Sequence, residues 1–158
     1  MLSNFNRDIF EFIEACNQNQ VRMILVGGSA VNYYGYKRHS ADIDFWIDSS
    51  ADNFERLLNA LNKIGYDLKE FPEDVVTAKQ NISLKFSPDL EIELITRFNP
   101  GKSFTDAFSD SVLFEIKGQQ YRRWNILSYD DLINSKIRSA RNKDLLDVKE
   151  LQRIKGKK

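Results

Sequence analysis

The sequence has one cysteine, Cys16, and only three prolines and seven glycines among its 158 residues. A single cysteine can form neither an internal disulfide nor a cysteine-based metal cluster. No stretch approaches the roughly 18 apolar residues of a membrane span. The charged residues within MLSNFNRDIFEFIEA are not those of a secretory signal. We therefore expect a cytoplasmic protein that does not enter a membrane.

The chain also lacks net charge, because 23 Lys and Arg residues balance 23 Asp and Glu residues. A general nucleic-acid coat protein depends on neutralising phosphates, so the zero net charge argues against this class. It does not exclude a local basic patch. The hydrophobic content of 42% is too high for a disordered chain. Length and composition together predict one globular domain over residues 1–158.

Hydrophobic periodicity predicts helices alternating with strands. Helices are expected at 4–19 and 29–36, and from Ser49 or Ser50 to just before Gly65. Strands are expected at 23–26 and 42–47, with hairpins formed by 80–87 with 90–95 and by 112–117 with 120–125. Residues 128–158 form a helical C-terminal part, and Cys16 lies on an apolar helical stripe typical of a core position. This order predicts a mixed α/β (α+β) fold with one central sheet flanked by helices.

The first chemical motif is Val26-Gly27-Gly28-Ser29, in which an apolar strand ends in two glycines and a hydroxyl residue before a helix. Glycines let backbone amides approach a bound group closely, and a helix N-terminus favours negative charge. The motif is therefore a candidate cradle for the phosphates of a nucleotide. The alternative is a simple tight turn, which two glycines before a helix often form.

The second motif is Asp42-Ile43-Asp44, in the next strand. Residues two apart on a strand point to the same face, so the two carboxylates project together and repel each other. Mg²⁺, or Mn²⁺, would relieve the repulsion, since hard cations are held by carboxylates and substrate phosphates. The alternative is a solvent-facing strand edge that carries two acids without a function.

A third carboxylate is available in the later strand, where Glu91 and Glu93 share one face. If this strand neighbours that of Asp42 and Asp44, Glu93 completes a three-carboxylate site of the kind used in phosphoryl transfer. Glu91 is the second choice. Either glutamate is also compatible with an ordinary exposed strand position.

These motifs resemble the signature of the DNA polymerase β-like nucleotidyltransferase superfamily. Gly27-Gly28-Ser29 is followed by a spacer of twelve residues and then by Asp42-Ile43-Asp44-Phe45. The longer string over 27–44 is similar to a bacterial minimal nucleotidyltransferase group, whose relatives act in or resemble toxin–antitoxin and abortive-infection systems. The segments 131–136 and 141–147 resemble the helical tail of that group. The resemblance implies the nucleotidyltransferase fold.

The resemblance also implies roles for individual residues. Gly27, Gly28 and Ser29 would hold the β- and γ-phosphates, and Asp42 and Asp44 would ligate Mg²⁺. Glu93 would be the third carboxylate and the base towards the acceptor hydroxyl. The family's acid at that position is often Asp, which is one methylene shorter.

Two basic residues are implied in nucleotide binding. Arg38 lies in the loop before the acidic strand, where a guanidinium suits phosphate. Lys136 resembles a lysine that reaches the triphosphate in relatives, although it also fits a solvated helix face. His39, the only histidine, is interpreted as a bystander.

The resulting hypothesis is a Mg²⁺-dependent nucleotidyltransferase that transfers an NMP from an NTP to an acceptor hydroxyl and releases pyrophosphate. The acceptor is a protein side chain, an RNA 3′ end or a small molecule, and a partner protein or a homodimer would help to form its pocket. Two alternatives stay open. One is a non-catalytic, nucleotide-binding, antitoxin-like interaction module, and the other is nucleotide hydrolysis by the same metal site.

Overall fold

The computed structural model describes residues 7–37, 42–88 and 90–157, which form a mixed sheet with helices packed around it. In chain order the elements are α1 (Arg7–Gln18), β1 (Met23–Val26), α2 (Gly27–Tyr33), β2 (Asp42–Ile47), α3 (Ala51–Lys63), α4 (Glu73–Val76), β3 (Ile82–Ser87), β4 (Leu90–Ile95), α5 (Phe104–Asp110), β5 (Val112–Glu115), β6 (Arg123–Ile126), α6 (Tyr129–Ser139) and α7 (Asn142–Gly156). The predicted α/β architecture with C-terminal helices is confirmed. Within these described ranges, no helix is both long enough and apolar enough to cross a bilayer.

The sheet has six strands in the order β3-β4-β2-β1-β6-β5. The two predicted hairpins are confirmed, since β3 pairs antiparallel with β4 and β5 pairs antiparallel with β6. At the centre, β1 runs antiparallel to β2, while β2 is parallel to β4 and β1 is parallel to β6. The acidic strand β2 therefore lies between the glycine-terminated strand β1 and the glutamate-bearing strand β4.

The core sits around β1, whose four residues are all buried, as expected for a short apolar run covered on both faces. Helix α1 contributes a fully buried stripe that includes Phe12, Ile13 and Cys16. Burial raises the pKa of the Cys16 thiol well above its usual range, so this residue is a core hydrophobe and not a reactive thiolate.

Some element boundaries differ from the expectation. Helix α2 begins at Gly27 and not at Ser29, because the chain leaves β1 in an extended conformation at Val26 and turns at once at Gly27, whose φ is +66°. It ends at Tyr33, shortly before Gly35 at φ +110°. Helices α4 and α5 were not predicted, since elements of four and seven residues are too short to show a periodic pattern.

The ends of β1 and β2 that lie away from the acidic residues are joined by Asn53, a buried residue of α3 that is 1% exposed. Its Oδ1 accepts a hydrogen bond of 2.8 Å from the Arg22 backbone N–H. Its Nδ2 donates to the carbonyl oxygens of Arg22, at 3.0 Å, and Asp48, at 2.8 Å. Asn53 thus hydrogen-bonds the residue before β1 and the residue after β2, and so holds the antiparallel pair in place.

We expect Asn53→Ala to lower the free energy of unfolding by about 1–3 kcal/mol, because it leaves the half-buried Arg22 N–H and Asp48 carbonyl without the partner that Asn53 supplies. Asn59→Ala, at an exposed position of the same helix, is the matched control and should change it by less than about 0.5 kcal/mol. Urea unfolding measures both values. Equal midpoints for the two variants would contradict this role of Asn53.

Candidate active site

The acidic residues of β2 and β4 meet through the parallel register of these strands. Asp42 lies opposite Glu91, and Asp44 lies opposite Glu93. Neighbouring residues of parallel strands point to the same side of the sheet, and so do residues two apart on one strand. The structure therefore brings all four carboxylates to one face, as two cross-strand pairs.

The two pairs are offset from each other by two residues along the strands, a distance of roughly 6.6 Å. In the part of the chain that the structure describes, no three His, Cys, Asp or Glu side chains are grouped closely enough to form a metal site as they stand. The carboxylates thus share a face without converging on a single point.

Asp44 is the acid most affected by this arrangement. Burial, followed by the nearby carboxylates of Asp42 and Glu93, raises its pKa to about 6, while the charge of Lys136 opposes the rise. Its carboxylate lies against the backbone of Gly27, where a Cβ atom would clash with Oδ2 and lie 3.2 Å from Cγ. Only glycine allows this close approach, so the lack of a side chain at Gly27 makes room for the Asp44 carboxylate.

The two glutamates differ in their surroundings. Glu93 faces Asp44, and its Oε2 accepts a hydrogen bond of 2.6 Å from Ser83 Oγ on β3. Glu91 faces Asp42 and has Lys85 of β3 as its cross-strand neighbour. Glu93 is therefore the glutamate beside the half-buried acid, and Ser83 orients its carboxylate.

A cavity of about 570 Å³ opens beside Asp44. Gly27 and Asp44 line one side, and Lys136 lines another. Three predicted residues from distant parts of the chain therefore meet at one cavity. Its remaining lining includes residues of the loop after β4 and of helices α6 and α7.

Other predicted residues lie elsewhere. Gly28 and Ser29 are buried in the first turn of α2 and are not part of the cavity lining. The Ser29 hydroxyl is buried and has no hydrogen-bond partner among the described residues. The predictions for Arg38 and His39 lie outside the residues that the structure describes.

Lys136 is buried, at 7% exposure, so its interpretation as part of a solvated helix face is wrong. Its Nζ lies 3.0 Å from Asp147 Oδ2 and 3.5 Å from Asp144 Oδ1. Arg141 adds a two-point contact, from Nε to Asp144 Oδ2 at 2.7 Å and from Nη2 to Oδ1 at 3.2 Å. Both aspartates belong to α7, so this buried network joins α6 to α7.

The network keeps Asp144 ionised. Burial alone would raise the pKa of Asp144, but the hydrogen bond from Arg141 and the charge of Lys136 outweigh it, and the pKa is lowered. A buried charge pair of this kind stabilises a structure only when its hydrogen bonds are complete. Asp144 meets this condition through its bidentate contact with Arg141.

Sequence reasoning did not find three arginines that line the cavity, namely Arg97, Arg138 and Arg141. Arg97 follows β4, whose carboxyl end lies beside that of the parallel strand β2. This is the end of β2 away from Asp42 and Asp44, so the strand order did not connect Arg97 with the acidic residues. Arg138 and Arg141 carried no signal either, because their relation to Asp44 depends on how α6 and α7 pack.

A comparison with models of known protein families found a match. Residues 6–156 match the model of a family described as nucleotidyltransferases of unknown function, DUF6036. The chain belongs to this family. No curated protein matches the chain. Membership of DUF6036 supports a nucleotidyltransferase at the level of the family.

The carboxylates fit a divalent cation by their chemistry. Asp42, Asp44 and Glu93 offer the hard oxygen ligands that Mg²⁺ prefers. Burial first, and then repulsion from Asp42 and Glu93, raise the pKa of Asp44, and a cation between these groups would relieve the repulsion. The donor set therefore suits Mg²⁺ or Mn²⁺.

We expect Asp44→Asn to stabilise the protein in EDTA at pH 7 by about 1–2 kcal/mol, with screening by solvent reducing the gain. The unfolded chain loses the Asp44 proton near its ordinary pKa of 3.8, whereas the folded protein loses it near 6. Wild-type stability should therefore fall as the pH rises from about 4 to about 6, and the advantage of Asn should appear over this range.

Urea unfolding at several pH values measures this advantage. Asp67→Asn, at an exposed loop position, is the matched control and should show no such trend. An Asp44→Asn advantage that is the same at pH 4 and pH 7 would contradict the assigned cause.

We expect Lys136→Ala to lower the free energy of unfolding by about 3–5 kcal/mol, because it leaves two buried carboxylates without their shared cation. Lys149→Ala, at an exposed position on α7, should change it by less than about 0.5 kcal/mol. Chemical denaturation compares the two variants. If Lys136→Ala unfolds at the same denaturant concentration as Lys149→Ala, the network does not contribute to stability.

Proposed function

We propose that the protein is a Mg²⁺-dependent nucleotidyltransferase that transfers an NMP from an NTP to an acceptor hydroxyl and releases pyrophosphate. The observation that carries this proposal is the register of β2 and β4, which sets Asp44 beside Glu93 and Asp42 beside Glu91. Family membership supports the reaction class. The adjoining cavity, with acidic and basic walls, supports a substrate that carries both a metal ion and phosphates.

Asp42, Asp44 and Glu93 would hold Mg²⁺, or Mn²⁺. When bound, the ion would neutralise charge that develops on the phosphate oxygens during transfer. Asp44 is suited to this task because burial and its acidic neighbours disfavour its charged form in the protein alone. Repulsion between these carboxylates thus favours the binding of a cation at the proposed site.

The chain's own groups would perform the remaining tasks. The hydroxyl oxygen of the acceptor attacks the α-phosphorus, its proton passes to the Glu93 carboxylate, and the bond to pyrophosphate breaks. Ser83 would hold Glu93 in position through its 2.6 Å hydrogen bond. Gly27 leaves room for the Asp44 carboxylate, and its backbone would face the nucleotide from the cavity lining.

The acceptor belongs to one of three chemical classes: a protein side chain, an RNA 3′ end or a small molecule. A net charge of zero favours a compact acceptor over a long nucleic acid. We propose that a partner protein or a second copy completes the acceptor pocket. A toxin–antitoxin setting is the proposed context for such a partner.

We expect Asp44→Asn to reduce nucleotidyl transfer by several orders of magnitude, because charge stabilisation at a metal site supplies several kcal/mol at the transition state. The assay incubates the protein with each α-labelled NTP, Mg²⁺ or Mn²⁺, and cell extract, and follows label in protein, RNA and small molecules. Asp67→Asn removes an exposed acid and should transfer label at the wild-type rate.

Equal labelling by the wild type and Asp44→Asn would overturn the catalytic proposal. In that case thermal unfolding with NTP and Mg²⁺ identifies the alternative, since a ligand of the native state raises the melting temperature. A rise in wild type that Asp42→Asn/Asp44→Asn abolishes would indicate an antitoxin-like nucleotide-binding module. Label released only as free NMP would indicate hydrolysis.

A further inference from the structure

The basic residues around the cavity are of two kinds. Lys136 and Arg141 are matched by Asp144 and Asp147, through contacts between 2.7 and 3.5 Å. Their charges are therefore used within the protein, where they compensate two buried carboxylates. If an anion bound Lys136 or Arg141 in place of these aspartates, a buried carboxylate would lose its ion-pair partner, which costs much free energy.

Arg97 and Arg138 are of the second kind. Both line the cavity, and both are exposed. Over residues 7–37, 42–88 and 90–157, neither guanidinium has a carboxylate within ion-pair distance, in contrast to Lys136 and Arg141. Among the described residues that line the cavity, these two arginines have charge that is free for a ligand.

Arg138 rests on the loop that carries Arg97. Gly101, at φ +93°, has no side chain, and a Cβ atom there would lie 3.0 Å from both Nε and Nη2 of Arg138. The guanidinium thus lies against the Gly101 backbone. Asn99 Oδ1 accepts a 2.9 Å hydrogen bond from the Gly101 N–H and fixes the turn.

The same loop is anchored to the sheet. Thr96 is 4% exposed, and its backbone N–H donates to Asn81 Oδ1 at 3.0 Å. The carbonyl of Thr96 accepts from Ser49 Oγ at 2.9 Å. The Phe98 ring packs on Trp46, with 5.1 Å between the centroids. Arg97 is therefore held between two anchored residues, which reduces the ordering cost of binding.

We infer that Arg97 and Arg138 bind the polyphosphate of the nucleotide, while Lys136 acts as a structural cation. That the ligand is a nucleotide rests on the proposed function. That the two arginines bind a polyphosphate anion does not depend on it. Guanidinium groups suit phosphate, since their planar forks donate two hydrogen bonds to neighbouring oxygens. Lys136 organises the cavity wall by joining α6 to α7.

The test measures the binding of inorganic tripolyphosphate by calorimetry, in EDTA, and then of an NTP with Mg²⁺. We expect Arg97→Gln/Arg138→Gln to weaken tripolyphosphate binding by at least about tenfold, because charge-assisted hydrogen bonds are lost. Arg7→Gln/Arg153→Gln removes the same charge at exposed positions of α1 and α7 and should weaken it by less than about threefold. Arg97→Lys/Arg138→Lys should recover only part of the affinity.

Asp42→Asn/Asp44→Asn separates this inference from the proposed function. It should bind tripolyphosphate in EDTA at least as tightly as the wild type, and yet fail in nucleotidyl transfer. Wild-type affinity in Arg97→Gln/Arg138→Gln, or an equal loss in the charge-matched control, would overturn the inference and leave the proposed function intact. Absence of tripolyphosphate binding by the wild type would also overturn it. Absence of nucleotidyl transfer by the wild type, with tripolyphosphate binding retained, would overturn only the proposed function.

Discussion

Hydrogen bonding between the parallel strands β2 and β4 sets Asp44 beside Glu93, and the rest of the candidate site depends on this register. A shift of one residue would turn every side chain of one strand to the opposite face, so the acids could no longer share a side. The antiparallel pairing of β1 with β2 adds the second constraint, since it places Val26 opposite Asp44 and brings Gly27 against its carboxylate. Two pairings of the central strands thus assemble the acidic wall.

The opposite wall depends on buried charge. Lys136 on α6 and the two aspartates of α7 are almost inaccessible to water, so each charge needs its partner. Their contacts hold the two C-terminal helices together beside the cavity and compensate the charges of the two aspartates that α7 buries there. The ion pairs with these aspartates occupy the charges of Lys136 and Arg141. The charges of Arg97 and Arg138 remain available to a ligand.

Much of the fold could be predicted, because strands β1 and β2, helix α3 and both hairpins have strong local patterns. The expectation was less accurate where local pattern is weak. Helix α2 starts two residues earlier than expected, because the glycine that ends β1 also makes the turn. Helices α4 and α5 have one or two turns, and their short stretches show no period that distinguishes them from loop.

The sequence by itself determined the paired acids Asp42 and Asp44, their separation from Gly27, and the two glutamates that could join them. These features follow from spacing within one strand or one turn, which the covalent chain sets directly. Only the tertiary structure decided that Glu93 faces Asp44 and that Lys136 is buried among aspartates. It also decided that two arginines border the cavity with no acidic partner among the residues that the structure describes. These relations join residues that are far apart along the chain, and strand order and helix packing, not local spacing, bring such residues together.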